Sequence, residues 1–179
     1  DRWVDHMPAQ IARVVSYSGA GLAPLARLPH LREFTMAGDR MDDDAMEHIG
    51  RFAALDGIGC ALAVAGDRGW QGLAQSRSLT RIGAFECDGL TGAGVKALAA
   101  MPQLVDLEVA GKRLHDEDLV PLMDMQNLRA FCCGRGNVFT DKAYEYIARI
   151  PRLETLSTGI ARSIGDDATG YIARMPHLR

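Results

Sequence analysis

The sequence predicts an α/β fold built by repeating one strand–loop–helix unit. Two observations predict it. Leucines open similar segments at Leu31, Leu55, Leu79, Leu104, Leu128, Leu153 and Leu178, spaced by 24 or 25 residues. In the first six, an apolar residue follows at plus three: Phe34, Ile58, Ile82, Leu107, Phe131 and Leu156. Plus five holds Met36, Cys60, Ala84, Val109, Cys133 and Thr158. This alternation has the period of a strand. The second half of each unit spaces its apolar residues by threes, which lays one stripe along a helix. Each unit of such a repeat buries its apolar face against its neighbours.

The units follow in order. The unit from Leu31 carries Met41, Met46, Ile49 and Phe52 as helix anchors. The unit from Leu55 is irregular: Trp70 and Leu73 keep the register, but Ser76 replaces the last anchor. A distorted loop over 65–69 and a short helix are expected there. The unit from Leu79 has Leu90, Val95, Leu98 and Met101, and that from Leu104 has Leu114, Leu119, Leu122 and Met125. Phe139, Tyr144, Ile147 and Ile150 serve the unit from Leu128, and Ile164, Thr169, Ile172 and Met175 that from Leu153. Thr91, Thr140, Asp116 and either Asp42 or Asp43 stand where helix N-caps belong. Pro102, Pro151 and Pro176 fall just after the last anchors, where they stop a helix.

The organisation that follows is a partial repeat or cap over 1–21 and a repeat array over 22–179, with six repeats starting at 31, 55, 79, 104, 128 and 153. The chain stops as a seventh strand opens, so it reads as a fragment of a longer chain or as one with a covered end. Its start, Asp1-Arg2-Trp3, lacks an initiator Met and reads as trimmed.

At 179 residues the chain has the length of one domain with enough material for a core. A net charge of −3 argues against a nucleic-acid partner, which calls for a basic face. No apolar run approaches the roughly 18 residues of a membrane span. The cysteines, Cys60, Cys87, Cys132 and Cys133, form no C-x-x-C pair and read as reduced thiols in a cytoplasmic protein. Of 20 basic residues only Lys96, Lys112 and Lys142 are lysine, a bias associated with GC-rich bacterial genomes.

With these residues in view, the chain resembles the leucine-rich repeat proteins that carry an α-helix in each repeat. The stretch from Leu79 to Val95 is most similar to the cysteine-containing, ribonuclease-inhibitor-like type, with Cys87 at that type's spacing; Asp39, Lys112, Gly136 and Ala161 stand there in other units. The resemblance implies a right-handed, horseshoe-shaped solenoid, with a parallel sheet on the concave face and helices on the convex face.

Alternate strand residues then point away from the core. At plus two they are Glu33, Gly57, Arg81, Asp106, Ala130 and Thr155; at plus four, Thr35, Gly59, Gly83, Glu108, Cys132 and Ser157. Strands about 4.8 Å apart make equal offsets lateral neighbours. Arg81 is expected beside Asp106, as a binding patch or as a surface ion pair worth about 0–1 kcal/mol. Phe85 is expected to stand exposed among Ala and Gly. The candidate partner-binding residues are Arg81, Phe85, Asp106 and Glu108, with a loop rim of Arg40, Arg113 and Arg162; Arg68 and Arg135 belong to the same row of loop arginines.

Other motifs read as structure. Asp42, Asp43, Asp44 and Glu47 start a helix, where negative charge suits the dipole. The Gly-rich stretches lack the Lys-Ser/Thr of a phosphate loop. Adjacent on one strand, Cys133 faces in and Cys132 faces out, reactive but without a nearby base. Neither a metal nor another cofactor is expected. The function expected is a non-catalytic protein–protein interaction module that displays a rigid sheet surface. A substrate-positioning domain of a larger enzyme is one alternative; a structural solenoid that self-associates through its C-terminal end is another.

Overall fold

A computed structural model describes residues 22, 25, 27–37, 41–133, 137–158 and 164–179. The reading of 1–21 as a partial repeat or cap lies outside them.

Strand and helix alternate along the chain: β1 (Glu33–Ala37), α1 (Asp43–Ile49), β2 (Gly57–Ala61), α2 (Asp67–Leu73), β3 (Arg81–Phe85), α3 (Gly92–Ala99), β4 (Asp106–Val109), a 3₁₀ helix (Asp116–Asp124), β5 (Ala130–Cys133), α4 (Asp141–Ile147), β6 (Thr155–Ser157) and α5 (Asp166–Ile172). The strands form one parallel sheet in sequence order, β1 to β6. Register couples equal repeat offsets: Phe34 pairs with Ile58, Ile58 with Ile82, Ile82 with Leu107, Leu107 with Phe131 and Phe131 with Leu156. Each helix packs on the next along the array. This is an α/β architecture of stacked units, as a repeat solenoid requires.

The core is the stack of anchors the spacing identifies. Leu55, Leu79, Leu104 and Leu128 are wholly enclosed, as are Ile58, Ile82, Leu107 and Phe131 at plus three. Among the helix anchors Met46, Ile49, Trp70, Leu73, Val95, Leu98, Leu119 and Leu122 are equally shut from water. In the last unit Leu156, Ile164 and Ile172 are only partly buried.

Backbone bonds stitch unit to unit at the strand entries. The Arg32 carbonyl accepts from the amides of Asp56 and Gly57, and the Asp56 carbonyl from those of Thr80 and Arg81. The Thr80, Val105 and Arg129 carbonyls repeat the pattern. One carbonyl thus satisfies two donors at each step, leaving none of these amides orphaned.

Helix starts add side-chain ties. Asp42, Thr91 and Thr140 are the N-caps expected, accepting from the amides of Ala45, Ala93 and Lys142. Asp116 is not a cap: His115 occupies that place, and its amide donates to Asp118 Oδ2 at 2.8 Å. Asp116 instead reaches the next unit, where its carboxylate accepts from the Thr140 amide and hydroxyl. Asp43 Oδ1 likewise accepts from the amides of Gly66 and Gly69, and Asp141 Oδ1 from that of Gly165. A carboxylate at a helix start therefore clamps the start of the following helix, where the dipole also favours it.

Two elements depart from expectation. The fourth unit carries a 3₁₀ rather than an α-helix because Pro121 lies inside it and has no amide to donate four residues back. In the second unit α2 spans seven residues, the length of α1, so the helix is not shortened. Gly72 lets α2 lie against α1, since a Cβ there would come within 2.4 Å of Glu47 Cγ. Nor is a distorted loop over 65–69 present, since 67–69 belong to α2, and the left-handed backbone of Leu62 before it (φ 56°) is shared by Glu86 at the same offset of the next unit (φ 50°). Ser76, in place of an anchor, is buried yet satisfied: its Oγ accepts from the amides of Ser78 and Leu79.

Candidate interaction surface

Sheet register brings the predicted patch together. Arg81 and Asp106 are direct partners across β3 and β4, and Gly83 pairs with Glu108. Arg81 also reaches the other way. Its Nη2 donates to Glu33 Oε1 at 2.6 Å and to Asp56 Oδ2 at 2.8 Å. Glu33 lies two strands off, and the contact is possible because Gly57 between them has no side chain to obstruct it. All three groups are partly exposed, so these ion pairs contribute about 0–1 kcal/mol each and mainly fix the guanidinium's position.

Four corrections apply to the residues expected on this face and in its row of loop arginines. Phe85 is half-buried rather than exposed. Glu108, expected on the open face, is 8% exposed. Cys132, expected to face out and react, is also 8% exposed. The sheet at β4 and β5 is thus more enclosed than alternation alone implies, and Ala130 shares that burial. Arg68 leaves the supposed rim: it sits on α2 and pairs with Asp43, Asp44 and Glu47 of α1. That explains the acidic run at 42–47 as cap, clamp and ion-pair partners.

Of the remaining rim, Arg113 is exposed as expected, whereas Arg40, Arg135 and Arg162 lie outside the described residues. Lys112 pairs with Asp88 at 3.0 Å on the same edge. Sequence reasoning missed Asp56 as a partner of Arg81, since it stands one position before the strand. It also missed two exposed apolar side chains, Leu62 and Val64, after β2. Their signal was available: neighbouring repeats carry Glu86 with Asp88, and Gly111 with Arg113, at the same offsets.

No family model matches the chain, and no curated protein does. Among solved structures it is similar to a chain in the crystal structure of the Rad7 and Elc1 complex in yeast. Identity is 13% and the TM-score 0.46, over 90% of this chain and 59% of that one. The present chain therefore spans less than two thirds of that neighbour.

Three of the thiols, Cys60, Cys87 and Cys133, are chemically quiet. Burial pushes Cys87 up to about 12 and Cys133 to about 12, and raises Cys60 well above the ordinary thiol range. The thiolate is the nucleophile, so such groups are poor candidates for chemistry at neutral pH. Among the described residues no three His, Cys, Asp or Glu side chains converge as a metal site, and no helix is long and apolar enough to cross a membrane.

Proposed function

We propose that the chain is a non-catalytic, protein-binding module of the leucine-rich repeat type, a right-handed solenoid curved so that its sheet faces inward. It binds through the sheet face and the loops at the C-terminal ends of its strands. The observation that carries this reading is the unbroken register from β1 to β6, which turns single repeat positions into lateral rows. A surface fixed by a shared core loses little entropy on binding, so modest contacts suffice for specificity. Phe85 supplies apolar area, and Arg81 with its carboxylates supplies orientation. Four free, buried thiols suit a reducing compartment.

The test is substitution on the face. Phe85→Ala and Asp106→Ala are expected to preserve the circular dichroism spectrum yet weaken capture of the partner by at least tenfold, about 1.4 kcal/mol. Unchanged capture by both variants would remove the sheet face from the binding surface.

A further inference from the structure

Charge is sorted between the two edges of the array. The connections that lead into the strands cover 27–32, 50–56, 74–80, 100–105, 125–129 and 148–154, and 173–179 follows α5 in the same way. The Arg179 amide donates to the Glu154 carbonyl, which continues the stitching seen at the strand entries. Because all strands run parallel, these connections lie along one edge. They hold nine arginines, no lysine and two carboxylates, Asp56 and Glu154. On the opposite edge the helix starts carry acids, among them Asp43, Asp67, Asp116, Asp141 and Asp166. A net charge of −3 conceals this separation.

Folding does not account for the arginines. Arg27, Arg51, Arg77, Arg152 and Arg174 are exposed, and their side chains have neither ion pair nor hydrogen bond among the described residues. Nor do they complete helix last turns, which in α2, α4 and α5 hold no basic residue. Both carboxylates of the edge are already engaged, Asp56 by Arg81 and Glu154 by Arg129 and Arg179. Arg149 pairs with Glu145, and Arg32 donates to the Ala54 carbonyl. The middle of the edge differs. No charged residue stands in 100–105, and the exposed Asp124 precedes 125–129. Free guanidinium groups therefore gather at the two ends of the edge.

We infer that this edge takes an extended acidic polypeptide segment whose carboxylates gather towards its own two ends. The planar fork of Arg matches a carboxylate with two parallel hydrogen bonds. Strands about 4.8 Å apart put the first and last connections about 29 Å apart along the sheet, the reach of about nine extended residues. Polypeptide fits better than nucleic acid, because the one Phe, Tyr or Trp in these connections, Phe52, is buried and offers no base a ring to stack on. A bilayer would meet only Leu28 and Val105 as large exposed apolar groups there, three units apart. The edge is separate from the sheet face, so this partner is additional to the one proposed above and does not depend on it.

Three synthetic peptides of about ten residues test it by fluorescence anisotropy with the intact chain. One carries glutamates at both ends and serine and glycine between. The second replaces every glutamate by glutamine, and the third gathers the same glutamates in the middle. The first is expected to bind saturably, at least about tenfold tighter than either other peptide. The triple variant Arg27→Gln, Arg51→Gln, Arg77→Gln and the double variant Arg152→Gln, Arg174→Gln should each keep the melting temperature and weaken the first peptide at least about tenfold. Lys96→Gln, Lys112→Gln and Arg113→Gln together remove as much charge elsewhere and should leave binding unchanged. Equal binding of either other peptide, no saturable binding, or binding lost only in the lysine-containing control would each overturn the proposal. So would tighter binding of a single-stranded oligonucleotide or of phosphatidylserine vesicles through the same arginines, and so would self-association lost in the triple variant, which makes a second copy's acidic edge the occupant.

Discussion

Leu107 sits at plus three of the fourth unit with no exposed surface, between Ile82 and Phe131 in the sheet. Truncation there removes apolar burial and leaves a cavity that two strands frame. Leu107→Ala is expected to destabilise the chain by about 2–5 kcal/mol, measured by urea denaturation. A loss below about 0.5 kcal/mol, the scale of surface substitutions, would place the residue outside the core. The thiols give a second expectation at this scale. An unfolded thiol loses its proton near about 8.5, but burial holds Cys87 and Cys133 protonated up to about 12. The folded state binds these protons more tightly, so their contribution is fully present below the unfolded value and is lost as pH rises toward the folded one. The melting temperature should therefore fall between about pH 9 and pH 12. The double variant Cys87→Ala, Cys133→Ala should show a shallower fall, whereas an identical slope would contradict the buried-thiol account. Burial of Cys133 followed from its offset. That of Cys132 did not, because alternation assigns a face but not how open the face is.

Asp116 shows what joins one element to the next. It is 9% exposed and accepts from both the amide and the hydroxyl of Thr140. Asp116→Ala leaves those donors short of a charged acceptor and should cost about 1.5–3 kcal/mol in chemical denaturation. Asp116→Asn, which keeps one acceptor oxygen, should recover part of it; equal losses in both would mean the carboxylate is not the clamp. Helix positions were legible because spacing by threes and the caps Asp42, Thr91 and Thr140 are local signals. The clamp was not, because its partner lies 24 residues away and only stacking brings the two together. The 3₁₀ helix was obscured for a related reason. Residues spaced by threes suit 3.0 residues per turn as well as 3.6, and Pro121 decides between them.

Across the whole molecule, a constant period dictates a sheet in sequence order, since each strand has its successor as its nearest neighbour. That level was the most legible: the apolar offsets of the interior units landed in the core, apart from Phe139, which is partly buried against it. The binding face was legible in register but not in relief: Arg81 aligns with Asp106 as expected, while its reach across Gly57 to Glu33 depends on a missing side chain two strands wide. The most direct test of a sheet-face binding site is site-specific photo-crosslinking. A benzophenone amino acid replaces Phe85 at the edge of the face in one variant and Gln71, exposed on α2, in another. With partner present, one discrete adduct should form from position 85 and none from position 71. Adducts from position 71 alone, or equal yields from both, would contradict binding through the sheet face.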